Sequence, residues 1–133
     1  MGAWGHGSFD NDTALDWVTE LDESDDHRLV LDALAVVTRT PASEYLDADL
    51  CCDALAGAEV VAASRGKPHP SAPDAVATFV QRHPQILGSR GATAARAAVT
   101  RIRDHSELRE LWSDSDDFAD WIAGMDDLLA RLA

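Results

Sequence analysis

Apolar residues along this chain recur at intervals of three and four positions, the spacing that places them on one face of an α-helix. The first such stripe consists of Ala14, Trp17, Val18 and Leu21, and comparable stripes follow up to the carboxyl terminus. Alternation of apolar and polar residues, which is typical of half-buried strands, does not occur in a β-branched segment of any length. The pattern therefore predicts an all-α fold, a single domain over residues 1–133 with six or seven helices around one core.

Proline, glycine and clustered carboxylates mark the expected helix ends. The acidic runs Asp22–Asp26 and Ser113–Asp117 are typical of helix starts, since carboxylates stabilise the positive end of a helix dipole. Gly66 is expected to end the third helix in a left-handed conformation, and Pro73 to stand in the first turn of the fourth. Residues Gly88–Gly91 are expected to form a loop before the fifth helix.

Two of the expected helices have unusual faces. In the second helix, Leu29, Leu31 and Val36 lie outside the main apolar stripe, which predicts a central helix that is covered on several sides. The third helix, from about Leu46 to Arg65, is rich in alanine. Its small side chains are expected to let neighbouring helices approach closely.

The distribution of charge narrows the range of partners. The formal net charge is −13, and residues 65–110 carry a local balance of +4 against −17 in the rest of the chain. Direct binding of nucleic acid requires a wide basic face, so this distribution argues against it. A basic protein partner is compatible with the acidic surface, although high negative charge also serves solubility.

The sequence predicts a cytoplasmic protein that does not enter a membrane. It contains no apolar run of the roughly 20 residues that a membrane span needs. Its amino terminus lacks the basic segment followed by an apolar one that a signal peptide has. Cys51 and Cys52 are adjacent, and neighbouring residues of a helix point about 100° apart, so a bridge between them would be strained. We expect two reduced thiols, at least one of them buried.

The glycine-rich opening is expected to be irregular, because closely spaced glycines disfavour both helix and strand. The run Gly5–Ser8, with His6, could cradle an anion at the start of the first helix. However, the lysine of a phosphate-binding loop is missing, and the carboxylates that follow, including Asp12, would repel phosphate. The favoured interpretation is a segment that packs closely on the helices, with Trp4 and Phe9 as buried anchors.

Glu59 stands out because it is the one ionisable residue between Asp53 and Arg65, in an otherwise apolar helix. A carboxylate in such a place needs a cation or several hydrogen-bond donors. Arg101 borders the apolar stripe of the fifth helix and is the expected partner. A buried ion pair, or a carboxylate that fixes the glycine-rich opening, is the favoured interpretation. A functional acid–base carboxylate is the alternative.

The chain shows no strong pattern for a metal. None of its five histidines stands four residues from another, and neither HExxH nor Cys-x-x-Cys occurs. Asp12, Asp16 and Glu20 line one face of the first helix and could share a cation. Exposed carboxylates of this kind are more often simply solvated. No metal and no cofactor is therefore predicted.

Three segments carry a resemblance to a known family. The opening reads GAWGxGxFxND over residues 2–12, and the segments AEVVAA at 58–63 and SELxxLW at 106–112 follow. In these segments the chain resembles the domain-of-unknown-function family 4259, and the resemblance extends over essentially the whole sequence. It implies a small cytoplasmic protein of bacterial type, and it brings no assigned activity with it.

Three hypotheses about function follow. The favoured one is a non-catalytic binding or regulatory protein, for example an immunity-like protein whose acidic surface masks a basic partner. The second is a small-molecule or metal-binding domain centred on the glycine-rich opening and Glu59. The third is an enzyme that uses Glu59 as an acid or base, which the missing nucleophile and cofactor motifs disfavour. The candidate polar site, functional or structural, comprises Glu59, Arg101, Trp4, His6, Asp12 and Asp16.

Overall fold

The computed structural model describes residues 5–84 and 88–133, and within these ranges the fold is all-α, without a β-strand. The prediction of six or seven helices is confirmed. The seven helices are α1 (Asp12–Ser24), α2 (His27–Arg39), α3 (Ala48–Ser64), α4 (Asp74–Arg82), α5 (Gly88–Asp104), α6 (Glu107–Ser113) and α7 (Phe118–Leu132). Over the same ranges, no helix combines the length and the apolarity that crossing a membrane would require.

Side chains that accept hydrogen bonds start the first two helices. Asn11 accepts from the backbone N–H of Ala14 at 2.8 Å, and Asp26 accepts from that of Arg28 at 2.9 Å. The amides of a first turn have no partner within the helix, so each such cap stabilises its helix by about 0.5–2 kcal/mol. The turn between α1 and α2 is tight, since Asp25 adopts a left-handed conformation with φ of 50°.

Helix α3 lies at the centre of the bundle and contacts each of the six other helices. Twelve of its 17 residues are buried, and most of these have small side chains. A Cβ added at Gly57 would lie 3.6 Å from the carbonyl oxygen of Val30, so α2 and α3 pack closely there. The close approach expected from the alanine-rich sequence is thus present.

The prediction that α2 is the central helix is wrong. Val30, Leu34 and Val37 are buried on one face of α2, whereas Val36 remains 39% exposed. The reason is that the short side chains of α3 allow other helices to pack around it on all sides. Helix α2 is one of these surrounding helices. Beyond its buried stripe, Leu29 and Leu31 are half-buried against the core, and Val36 lies at the surface.

The end of α3 follows the prediction at Gly66, which has φ of 81°. Its N–H donates to the carbonyl oxygen of Ala63, and the N–H of Lys67 donates to that of Ala62, both at 3.0 Å. These two bonds satisfy carbonyl groups that the helix itself leaves free. No atom lies within 4 Å of a Cβ added at Gly66, so crowding does not require glycine at this position. The left-handed backbone conformation does favour it.

Two expected boundaries differ from the structure. Pro73 is the residue that immediately precedes α4, where its extended conformation caps the helix instead of forming part of the first turn. Residues 88–91, expected to form a loop, begin α5. Glycine costs only about 1 kcal/mol in a helix, and the burial of Gly91 indicates that packing outweighs this cost.

Both cysteines are buried free thiols within α3, as predicted. Cys51 has no exposed surface, and Cys52 is 9% exposed. Burial in this apolar environment raises the pKa of each thiol to about 12. The thiolate form, which reacts with oxidants and metals, is therefore strongly disfavoured.

Candidate functional site

Glu59 lies in the middle of α3 with only 2% of its surface exposed. Its carboxylate forms a two-pronged ion pair with Arg131 of α7, in which Nη1 and Oε1 are 2.8 Å apart and Nη2 and Oε2 are 3.1 Å apart. The hydroxyl of Ser8 donates a further hydrogen bond to Oε2 at 2.8 Å. The buried charge is therefore both paired and hydrogen-bonded, which is the arrangement that makes its burial tolerable.

The expected burial of Glu59 beside a cation is confirmed, but the choice of Arg101 as the partner is wrong. The guanidinium of Arg101 donates to the carbonyl oxygens of Pro41 and Glu44, both at 3.0 Å, and so fixes the segment between α2 and α3. The position of Arg101 beside an apolar stripe did not indicate which helix it faces. The actual partner, Arg131, comes from α7, whose packing on α3 the sequence pattern does not reveal.

The glycine-rich opening is anchored on the helices where the structure describes it. Phe9 is buried, as expected. The N–H of Gly7 donates to Oδ2 of Asp10 at 3.1 Å, and a Cβ added at Gly5 or Gly7 would come within 2.6 or 2.7 Å of that oxygen. The carboxylate of Asp10 thus occupies the position that a bound anion would take. This geometry supports close approach, not phosphate binding, as the reason for the glycines.

The remaining residues of the predicted polar site do not converge on Glu59. Trp4, which is expected to be a buried anchor, lies outside the described residues. Asp12, Asp16 and His6 are exposed, and the ring of His6 contacts the edge of the Trp112 ring with centroids 6.5 Å apart. Exposed groups of this kind are separate surface features, not parts of one site.

The space beside the glycine-rich opening is small. A cavity of about 30 Å³ lies between residues 5–8 and the side chains of Cys52, Trp112 and Trp121. This volume holds about one water molecule and leaves no room for a metabolite. Within the two described ranges, no three histidine, cysteine, aspartate or glutamate side chains are grouped as metal ligands.

A different surface combines apolar and acidic side chains in one depression. It has a volume of about 180 Å³ and lies where α1, α2 and α3 meet. We call it the acidic groove, and its lining residues are Trp17, Glu20, Leu29, Asp32, Ala33, Val36, Leu50 and Asp53. Val36 and Leu50 are each 39% exposed, an unusual degree for large apolar side chains in this structure. The floor of the groove is therefore apolar and its rim is acidic.

The lining carboxylates of the acidic groove form no ion pair within the described part of the chain. Neither lysine nor arginine lines the groove, and the ion pairs found in the described part of the chain leave out Glu20, Asp32 and Asp53. Arg28 stands one turn before Asp32 on α2, but its guanidinium binds Asp26 at 2.9 Å. The charge of Arg28 also attracts Asp32 across this turn, without an ion pair between the two side chains, and Glu20 and Asp53 have no such cation among the lining residues.

The pKa of Asp53 shows most clearly how the carboxylates around the groove affect one another. Partial burial, followed by repulsion from Asp49, Glu20 and Asp16, raises the pKa of Asp53 to about 6. These carboxylates belong to two helices, α1 and α3, that face each other across the groove. A cation brought in from outside would interact favourably with all of them.

Sequence reasoning found only part of the acidic groove. The sequence predicts an acidic face of the first helix from Asp12, Asp16 and Glu20, of which Glu20 lines the groove, and it assigns no role to Asp32 and Asp53. A signal was present in the apolar residues of α2 that lie beyond its buried stripe, Leu29 and Val36. These two side chains indicate that α2 has a second apolar surface, which the sequence pattern alone assigns to the core.

These features define the class of protein as a small helical domain with a buried ion pair at its central helix and an acidic, partly apolar groove on its surface. The family model described as a domain of unknown function (DUF4259) matches residues 2–124. The chain therefore belongs to this family, which confirms the resemblance. The match includes Glu59 and the acidic groove and ends before Arg131. Searches of curated proteins and of solved structures each found no match.

Proposed function

We propose that this chain is a non-catalytic binding protein whose acidic groove receives a basic protein partner. The observation that carries the proposal is the set of groove carboxylates that lie beside exposed apolar side chains and pair with no lysine or arginine of the described chain. Carboxylates at such a surface repel one another, so a cationic partner would stabilise the surface on binding. The apolar floor would add affinity that charge alone does not provide.

The environment of Glu59 supports a structural role for this residue. Both of its carboxylate oxygens accept hydrogen bonds, from Arg131 and from Ser8. A general base must have a lone pair directed at a substrate proton, and here three of about four lone-pair sites accept hydrogen bonds from donors of the chain itself. The cavity of about 30 Å³ near Ser8 offers little space for a substrate. This favours binding over catalysis.

An immunity-like protein, which masks a basic partner, is the finer form of this proposal. Masking requires a surface complementary to the partner in both charge and shape. The proposal includes a cytoplasmic location and a bacterial source. The free thiols of Cys51 and Cys52 suit a reducing compartment.

Affinity capture with two matched variants tests the proposal. The groove-charge variant carries Glu20→Gln, Asp32→Asn and Asp53→Asn at lining residues, together with Asp16→Asn on α1, whose charge acts on Asp53 from beside the groove. The surface-charge control carries Asp114→Asn, Asp116→Asn, Asp117→Asn and Asp120→Asn, all at exposed positions outside the groove. Each variant changes the formal net charge from −13 to −9. A difference between them therefore depends on position and not on total charge.

Wild-type protein, groove-charge variant and surface-charge control serve as bait in a native lysate of the source cells. We expect the wild type and the control to retain the same basic protein, identified by mass spectrometry. The purified partner should bind the groove-charge variant at least about 10-fold more weakly, which corresponds to about 1.4 kcal/mol. Equal losses with both variants, or the absence of any retained basic protein, would count against the proposal.

A further inference from the structure

We infer that the partner enters the acidic groove as an amphipathic basic helix, with apolar side chains on one face and lysine or arginine beside them. The inference rests on the proposed function and names the chemistry of the partner. It is argued from the spacing of side chains in the groove, from the size of the groove and from its charge.

In each helix that lines the acidic groove, an apolar lining residue and a carboxylate lie about one turn apart; Trp17 is 4% exposed and contributes to the floor, whereas Val36 and Leu50 are each 39% exposed. Residues three or four positions apart are neighbours on a helix surface. The three pairs are Trp17 and Glu20 on α1, Asp32 and Val36 on α2, and Leu50 and Asp53 on α3. A ligand that matches all three pairs must alternate apolar and cationic groups at a similar spacing. An amphipathic helix with a basic border does so.

The dimensions of the acidic groove suit side chains of a helix better than a small molecule. Its volume of about 180 Å³ is below the roughly 300–1,000 Å³ of typical small-molecule sites. It is close to the roughly 150 Å³ of an apolar cavity that holds benzene. Leu29 and Val36 are seven residues apart on α2, a distance of about 10 Å, or two helical turns. The groove thus accommodates one or two apolar anchors from adjacent turns of a partner helix.

Charge excludes the other occupants that an apolar groove could have. A second copy of this chain carries a net charge of −13, which opposes association overall even though its residues 65–110 carry a local balance of +4. Anionic membrane surfaces and nucleic acids would be repelled for the same reason. Lysine and arginine are absent from the lining of the groove, whereas Glu20, Asp32 and Asp53 belong to it. A cationic helix is the occupant that this arrangement attracts.

The test uses the full chain and two synthetic peptides. The first is an amphipathic helix of about 15 residues with leucines along one face and lysines elsewhere. The second has the same composition in a scrambled order that forms no apolar face. Isothermal titration calorimetry gives the affinities, and amide chemical shifts from ¹⁵N NMR locate the binding surface.

Leu50→Ser and Leu111→Ser provide matched variants for the same titrations. The two leucines are similarly exposed, at 39% and 41%, but only Leu50 lines the acidic groove. We expect the amphipathic peptide to bind wild type about 10-fold more tightly than the scrambled one, with shifts in α1, α2 and α3. Leu50→Ser should weaken this binding about 5–10-fold, and Leu111→Ser should leave it unchanged. Circular dichroism verifies that both variants remain folded.

Two other outcomes are distinguishable. In the first outcome, both peptides bind wild type equally, Leu50→Ser has no effect, and the groove-charge variant binds neither peptide. This result would overturn the helix inference, while the proposed acidic binding surface would stand. If the groove-charge variant binds the amphipathic peptide as tightly as the surface-charge control does, the inference and the proposed function fail together.

Discussion

The ion pair between Glu59 and Arg131 allows an asymmetric prediction about stability. Replacing Arg131 by methionine leaves the buried carboxylate of Glu59 with the hydroxyl of Ser8 as its remaining donor. Replacing Glu59 by glutamine leaves a cation that still contacts Asp127 at 2.9 Å and the carbonyl oxygen of Lys67 at 3.2 Å. The two substitutions break the same pair, but they leave very different groups behind.

The expected magnitudes follow from this difference and from burial. Glu59 is 2% exposed and the side chain of Arg131 is 14% exposed, so losing the cation strands a buried charge. Arg131→Met should lower the free energy of unfolding by about 3–5 kcal/mol. Glu59→Gln keeps the shape and leaves Arg131 paired, so we expect a cost of about 1–3 kcal/mol. The double variant Glu59→Met with Arg131→Met should cost less than Arg131→Met alone.

Urea unfolding followed by far-ultraviolet circular dichroism measures these free energies. Arg28→Met serves as the control, because Arg28 is 75% exposed in its pair with Asp26, so its replacement should leave the free energy of unfolding nearly unchanged. A cost of Glu59→Gln equal to that of Arg131→Met would refute the reasoning. So would a double variant that costs as much as Arg131→Met alone or more, since removing the stranded carboxylate would then bring no relief.

Three further predictions concern other parts of the chain. The raised pKa of Asp53, about 6, means that the folded state holds this proton more tightly than the unfolded chain. The stability of the wild type should therefore fall relative to that of Asp53→Asn as pH rises from about 4 to 6, and in urea titrations Asp53→Asn should be the more stable by about 1–2 kcal/mol at pH 7. Burial raises the pKa of Cys51 to about 12, so its labelling by a disulfide reagent at pH 8 should be at least about 100-fold slower than in the unfolded chain. Thermal unfolding should show that Gly66→Ala, at φ of 81°, destabilises by about 1–2 kcal/mol, whereas Gly124→Ala within α7 stabilises by about 0.5–1 kcal/mol.

The helices and several of their ends were predictable because their signals are local. The 3.6-residue period, the acceptor side chains before helices and the glycine at position 66 each act within a few residues along the chain. The burial of Glu59 was predictable for a related reason. A single carboxylate in an alanine-rich, apolar helix has few exposed places to occupy.

The partner of Glu59 and the acidic groove depend on which helices pack together, and local patterns do not contain that information. Arg131 is 72 residues away from Glu59 in the sequence. Leu29 and Val36 on α2 show the same helical spacing whether they lie in a core or at a surface. The small side chains of α3 allow this helix to occupy the centre of the bundle. One side of α2 is therefore left uncovered, and Val36 lies at the surface instead of in the core.

The most direct test of the acidic groove as a binding site compares the two charge variants for the same amphipathic peptide at an ionic strength of about 0.1 M. At this ionic strength charges farther apart than about 10 Å are largely screened, so the measurement reports contacts near the peptide. Both variants have a formal net charge of −9, four units from that of the wild type at −13. We expect the dissociation constant to rise at least about 10-fold for the groove-charge variant and to stay close to the wild-type value for the surface-charge control. Equal dissociation constants for the two variants would show that affinity follows net charge alone, and would contradict a specific site in the groove.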